Sequence, residues 1–132
     1  DKVNSKALDL GCGGVPRNPF QADLLYGIDI RDSANPNIAS ADLAQERIPH
    51  GDASMDYITA FDFIEHVPRV VYLPQIRYSF IELMNEVYRV LTFSQYFDDQ
   101  RQWGRMYGFN GAFKIESQVR HSTHLISVLR KV

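Results

Sequence analysis

The sequence predicts an α/β domain: a doubly wound mixed sheet in three α/β/α layers, ending in an antiparallel β-hairpin. Three observations carry this expectation. Short apolar runs of strand length recur through the first half of the chain, at 6–10, 24–30, 37–43 and 55–61. One long amphipathic segment follows them. Two further runs, "GAFKIESQ" and "HLISVLRK", then close the chain as a pair joined through "VRHS". Strands that alternate with other elements, followed by a terminal pair, indicate a parallel sheet with an antiparallel edge.

Taken in order, "KALDL" (6–10) reads as a buried strand that stops at a glycine cluster, and "LLYGIDI" (24–30) as a second strand. "NIASADL" (37–43) is a weaker third, and "MDYITAF" (55–61) a fourth, rich in β-branched and aromatic residues. From Pro74 the segment "PQIRYSFIELMNEVYRVL" places Ile76, Phe80, Leu83, Met84, Val87 and Leu91 three and four residues apart. That pattern predicts an amphipathic helix with proline in its first turn. Beyond it Thr92 reads as an N-cap, with Phe93, Tyr96, Phe97, Gln100 and Trp103 again at helical spacing. Two amphipathic helices cannot abut at a cap without connecting residues, and an α/β sheet needs a fifth strand there. The expectation is therefore one domain over 1–132 with a segment absent between Leu91 and Thr92.

Bulk properties narrow the class. A chain of 132 residues suits one domain with a real core, and 45% apolar with 23% charged residues argues against disorder. The net charge of −2 supplies no broad attraction for nucleic acid or an anionic membrane. No apolar run reaches the roughly 20 residues of a membrane-spanning helix. The lone Cys12 forbids an intrachain disulfide. With no secretory core at the N-terminus, it leads to the expectation of a cytoplasmic protein.

The functional signal is the stretch "ALDLGCGGVPRNPFQADLLYGIDI". Glycines after a first strand permit a tight turn and let backbone N–H groups approach a ligand. An acid after the second strand can hold both hydroxyls of a ribose, and Asp29 stands 18 residues beyond Gly11. The dinucleotide fingerprint fails because Pro16 occupies the third glycine position, and Pro16 and Pro19 leave little room for a helix beneath a pyrophosphate. A nicotinamide-dependent oxidoreductase is thereby disfavoured. A plain strand-to-helix turn is the bland alternative for the glycines, and Arg17 reads as a solvated loop residue.

These residues, with "ADLAQERIPHGDASMDYITAFDFIEHV" (41–67) and "NEVYRVL" (85–91), resemble the class I S-adenosylmethionine-dependent methyltransferases of the type 11/12-like kind. "LDLGCGG" resembles their first motif and "GIDI" their second, while Val15 stands where the family has a further glycine. The family's "K-P-G-G" turn and fifth strand after "RVL" have no counterpart, which agrees with an absent segment. The resemblance implies a Rossmann-like fold and methyl transfer from S-adenosylmethionine to an acceptor. That acceptor is expected to be a small molecule or sugar-containing metabolite, without membrane or nucleic-acid partners. It further implies that Asp9, Gly11, Cys12 and Gly13 surround the methionine end, that Asp29 holds the ribose, and that Ile30 packs on adenine. Asp42 would accept from the adenine amino group, Leu43 would offer a backbone N–H, and Phe61 and Asp62 would lie near the methyl. No catalytic residue is implied, because the family has no universal one.

Other readings stay open. The domain could bind the cofactor without turning it over. On a helix, Asp62, Glu65 and His66 of "DFIEH" would share a face. They resemble the metal ligands of small-RNA 2′-O-methyltransferases, although the favoured expectation is no metal. His66 is a candidate base on its ordinary pKa, Asp42 could merely cap a turn, and Cys12 fits packing better than nucleophilic chemistry. His121 and His124 fall at the hairpin turn, where surface positions are expected. The aromatics Phe93, Tyr96, Phe97, Trp103 and Tyr107 read as core.

Overall fold

The computed structural model describes residues 4–99, 113–121 and 124–131. Its strands are β1 (Lys6–Leu10), β2 (Leu24–Asp29), β3 (Ile38–Ser40), β4 (Met55–Ala60), β5 (Leu91–Asp99), β6 (Phe113–His121) and β7 (His124–Lys131). They form one sheet in the order β3-β2-β1-β4-β5-β7-β6. The first five are parallel, and β7 joins β5 and β6 antiparallel. This is the Rossmann-like mixed sheet with a terminal hairpin that the sequence predicts.

Among the described residues the one α-helix is α1 (Ser79–Val90), and loops make the crossovers from β1 to β2, β2 to β3 and β3 to β4. Phe80, Leu83, Met84, Val87 and Val90 of α1 are buried against Leu8 and Leu10 of β1, Ile28 of β2 and Ile58 and Ala60 of β4. A loop covers part of the opposite face. There Phe20 stacks on Tyr57 with ring centroids 4.5 Å apart, and Cys12 and Pro16 press so closely on Gly27 that a Cβ there would lie 2.5 Å from Sγ and 2.9 Å from the proline ring. Pro16 thus does packing work on the side of the sheet where a crossover helix normally lies.

Polar contacts lock α1 in place. Glu86, nearly buried, accepts the Ile48 N–H at 3.0 Å and two bonds from the Arg89 guanidinium at 2.8 and 2.9 Å. Arg89 also donates to the carbonyls of Ile48 and His50 and to Asp52. At the same end of the helix, Lys131 of β7 donates to the carbonyls of Tyr88 and Leu91 at 2.6 and 2.8 Å. The hairpin therefore supplies the cation that caps the helix C-terminus.

Three local expectations are corrected. The helix begins at Ser79, not near Pro74. Val71 and Arg77 form an antiparallel bridge around the cis Leu73–Pro74 peptide, and that bridge takes the Arg77 backbone out of any helix. Ile76 is accordingly exposed. The "DFIEH" segment is a single 3-10 turn over Ile64–His66, with Asp62 outside it at φ +52°. Finally, residues 91–99 form a strand, where helical spacing predicts a second helix and no fifth strand. The open edge of β4 leaves backbone groups that need a partner, and "TFSQYF" is rich enough in aromatic and β-branched residues to provide one. The join is irregular: Leu91 faces Met55 and Tyr96 faces Tyr57, so five steps along β5 meet two along β4. Gln100, Trp103 and Tyr107 lie outside the described residues, as do the side chains of Phe93, Tyr96, Phe97, His121 and His124. No helix among the described residues is long and apolar enough to cross a membrane.

Candidate cofactor site at the carboxyl ends of the strands

Strand order reverses at β1, from which β2 and β4 depart in opposite directions, and a crevice opens outside the carboxyl ends of such strands. The loop after β1 is pinned first. The N–H groups of Gly11 and Cys12 both donate to the Ile28 carbonyl, at 2.8 and 3.1 Å. Gly11 and Gly13 adopt φ of +66° and +65°, conformations natural to glycine. The second of these aims the Gly13 N–H at Asp29 Oδ1, 3.2 Å away.

Asp9 and Asp29 have different surroundings and different roles. Asp9 is buried within the sheet end, where it accepts the Thr59 hydroxyl at 2.8 Å and the Arg17 N–H at 2.9 Å. Burial pushes its carboxyl above the ordinary range, against these donors. It ties the loop after β1 at Arg17 to the end of β4 at Thr59 and is not among the residues that line the pocket. At Asp29 burial also pushes upward, but hydrogen bonds from the Arg31 backbone and guanidinium and from Gly13 outweigh it. The Asp29 carboxyl lies below the usual range and is ionised at neutral pH.

Around Asp29 lies a pocket of about 270 Å³, lined by residues that include Gly11, Ile30, Asp42, Leu43, Phe63 and His66. Its polar side chains are Asp29, Asp42 and His66, and the other side chains that line it are apolar. Asp42 also caps the turn that follows β3: its Oδ1 accepts the Ala44 N–H at 3.0 Å, and its own N–H donates to Glu46 Oε1 at 2.8 Å. The capping role and the place in the pocket coexist. Cys12 is buried, its thiol pushed up by burial and by the charges of Asp9 and Asp29, and its Sγ donates to the Gly13 carbonyl. It is a packing residue.

Of the ten residues that the resemblance implies, Gly11, Asp29, Ile30, Asp42 and Leu43 line this pocket. Gly13 lines a second pocket on the far side of Asp29. Phe61 stands outside both, with the Arg17 guanidinium 4.9 Å from its ring centre, and Asp62 is exposed beyond it. The aromatic wall is instead Phe63, which packs so tightly on Gly11 that a Cβ there would lie 2.5 Å from Phe63 Cδ1. The left-handed Asp62 turns the chain so that Phe63 faces the glycine loop. The sequence shows two aromatics after the fourth strand, Phe61 and Phe63, but not that one of them packs on Gly11. Asp62, Glu65 and His66 do not share a helix face, and no three metal-ligating side chains cluster among the described residues.

Neither a family model nor a curated protein matches the sequence. Solved structures do match. A SAM-dependent methyltransferase from Aquifex aeolicus is 15% identical, with 97% of this chain and 82% of that one covered at a TM-score of 0.61. Phosphoethanolamine N-methyltransferase 1 from Haemonchus contortus, solved with phosphoethanolamine and S-adenosylhomocysteine, is 10% identical. There 98% of this chain and 39% of that one align, at a TM-score of 0.66. The cyclase SpnF is 16% identical over 88% of this chain and 53% of its own, at 0.58. A cyclase among the neighbours shows that one fold hosts several chemistries, so activity must be argued from the site. The chain shares its fold with these methyltransferases and with this cyclase.

Proposed function

We propose that the chain binds S-adenosylmethionine and transfers its methyl group to a small-molecule or sugar-containing acceptor. The observation that carries this reading is the pocket at the strand ends: an ionised Asp29 beside a glycine loop, with Asp42 and the apolar Ile30, Leu43 and Phe63 around it. An adenosine asks for that combination, a carboxylate for the ribose diol and apolar faces with one acceptor for the adenine.

In this reading Asp29 accepts from the ribose, and Ile30, Leu43 and Phe63 flank the ring. Asp42 accepts from its amino group, while Gly11, Cys12 and Gly13 bring backbone to the methionine end. Phe61 and Asp62, past the end of β4, border the side from which the acceptor approaches. The bound sulfonium supplies an electrophilic methyl, so the chain's main task is to align acceptor and methyl. The net charge of −2 supports a small acceptor over a nucleic acid.

Calorimetry with S-adenosylmethionine and S-adenosylhomocysteine tests the first step. Micromolar binding that Asp29→Ala weakens at least tenfold is expected, and no binding at high micromolar concentration overturns the reading. A methyl-transfer screen over small acceptors then separates an enzyme from a binding module. We also propose that a segment is absent between Leu91 and Thr92, because α1 ends at Val90 and β5 begins at Leu91 with no connecting turn between them. Sequencing the transcript across that junction tests it, and an uninterrupted reading frame with the same residues overturns it.

A further inference from the structure

Asp29 has fewer open positions than a ribose needs. An ionised carboxylate offers about four lone-pair directions, two on each oxygen. Gly13 N–H takes one on Oδ1 at 3.2 Å. The Arg31 backbone N–H and its Nε–H take two on Oδ2, at 3.1 and 3.2 Å. One direction is left, on Oδ1, whereas a vicinal ribose diol donates two hydrogen bonds.

Resting on the adenosine reading above, we infer that the Arg31 side chain occupies a ribose-hydroxyl position on Asp29 and must leave when a diol ligand binds. Arg31 thereby sets how strongly the site distinguishes ribose from deoxyribose ligands. The geometry decides which donor yields. The two backbone N–H groups are fixed by the glycine loop and by the chain beyond β2. Among the described residues the guanidinium is held only by this pair, and it is 79% exposed, against 12% for the carboxylate. Asp29 is also a wall between two pockets. The ligand pocket does not include Arg31. The other, about 240 Å³, is lined by Gly13, Gly14, Asp29, Arg31, Asp32 and Ser33, and gives the displaced side chain room beside Asp32.

The test is calorimetry of the wild-type chain and Arg31→Ala with S-adenosylhomocysteine and with its 2′-deoxy analogue. Removing an exposed competitor strengthens S-adenosylhomocysteine binding by roughly two- to fivefold. The deoxy analogue needs only the open direction and binds both proteins equally. Raising the salt concentration gives the same answer without relying on the substitution. It screens the Arg31–Asp29 pair and tightens S-adenosylhomocysteine binding to the wild type but not to the variant. Unchanged or weaker binding by Arg31→Ala, or an equal gain for both ligands, overturns the inference. No binding of S-adenosylhomocysteine by either protein overturns the adenosine reading, and this inference with it.

Discussion

Replacing Gly11 with alanine tests the most crowded point of the site. Two separate costs arise there. The backbone sits at φ +66°, and an L-residue in the left-handed region costs about 1–2 kcal/mol. The new Cβ would also lie 2.5, 2.7 and 3.0 Å from Cδ1, Cγ and Cβ of Phe63. A contact that close to the base of the ring cannot be relieved by a swing of its tip, so the side chain or the 61–66 segment must shift. Forcing extra volume into such a place adds about 1–3 kcal/mol. The total expected loss is about 2–5 kcal/mol. Gly13→Ala is the matched control, because its φ of +65° is almost the same and nothing lies within 4 Å of its added Cβ. That variant should lose only the backbone part, about 1–2 kcal/mol. Urea unfolding followed by circular dichroism reads both. In the double variant Gly11→Ala/Phe63→Ala the two losses should fall short of additivity, because the second change removes the clash. Equal losses for Gly11→Ala and Gly13→Ala, or strict additivity in the double variant, would refute the packing argument.

Arg89→Ala leaves Glu86 nearly buried and without its bidentate partner, and should cost about 3–5 kcal/mol in the same assay; a loss below 1 kcal/mol would show that loop 47–52 relaxes around it. Lys131→Met keeps the buried stem but removes the ammonium from which the Tyr88 and Leu91 carbonyls accept. It should cost about 1–3 kcal/mol, with faster amide exchange in the last turn of α1 as its local mark. Stability should also depend on Asp29 at acid pH. Its carboxyl is held below the ordinary range, so its contribution is complete above about pH 4 and disappears as pH falls through the depressed folded value. Asp29→Asn should flatten that part of the curve. Asp9 has the opposite sign: burial raises its carboxyl, so stability falls as pH rises from about 4 through the folded value.

Much of this was legible along the chain because strand formation and the glycine turn are local. "KALDL" has the ends of β1, and the distance from Gly11 to Asp29 follows from one loop and one strand. The apolar positions Phe80, Leu83, Met84 and Val87 mark the buried face of α1 without any knowledge of its partners. Other features depend on residues far apart in the chain. Helical spacing after Thr92 lost to the open edge of β4, because backbone pairing there satisfies groups that no local pattern records. The helix start moved to Ser79 through the Val71–Arg77 bridge and through the Ser79 hydroxyl, which donates to the Ala44 carbonyl.

By itself the sequence determined an α/β sheet, an amphipathic helix beneath it, a closing hairpin, and a glycine loop with an acid one strand away. Those follow from periodicity and spacing, which act over a few residues. Tertiary structure decided that Phe63 and not Phe61 walls the pocket, that Asp9 is buried while Asp29 lines the pocket, and that Lys131 caps a helix 40 residues earlier at Leu91. It also placed the Arg31 guanidinium on Asp29. The physical reason is the same in each case. Strand register and left-handed turns set side-chain direction, and direction decides which of two chemically similar neighbours lines the pocket.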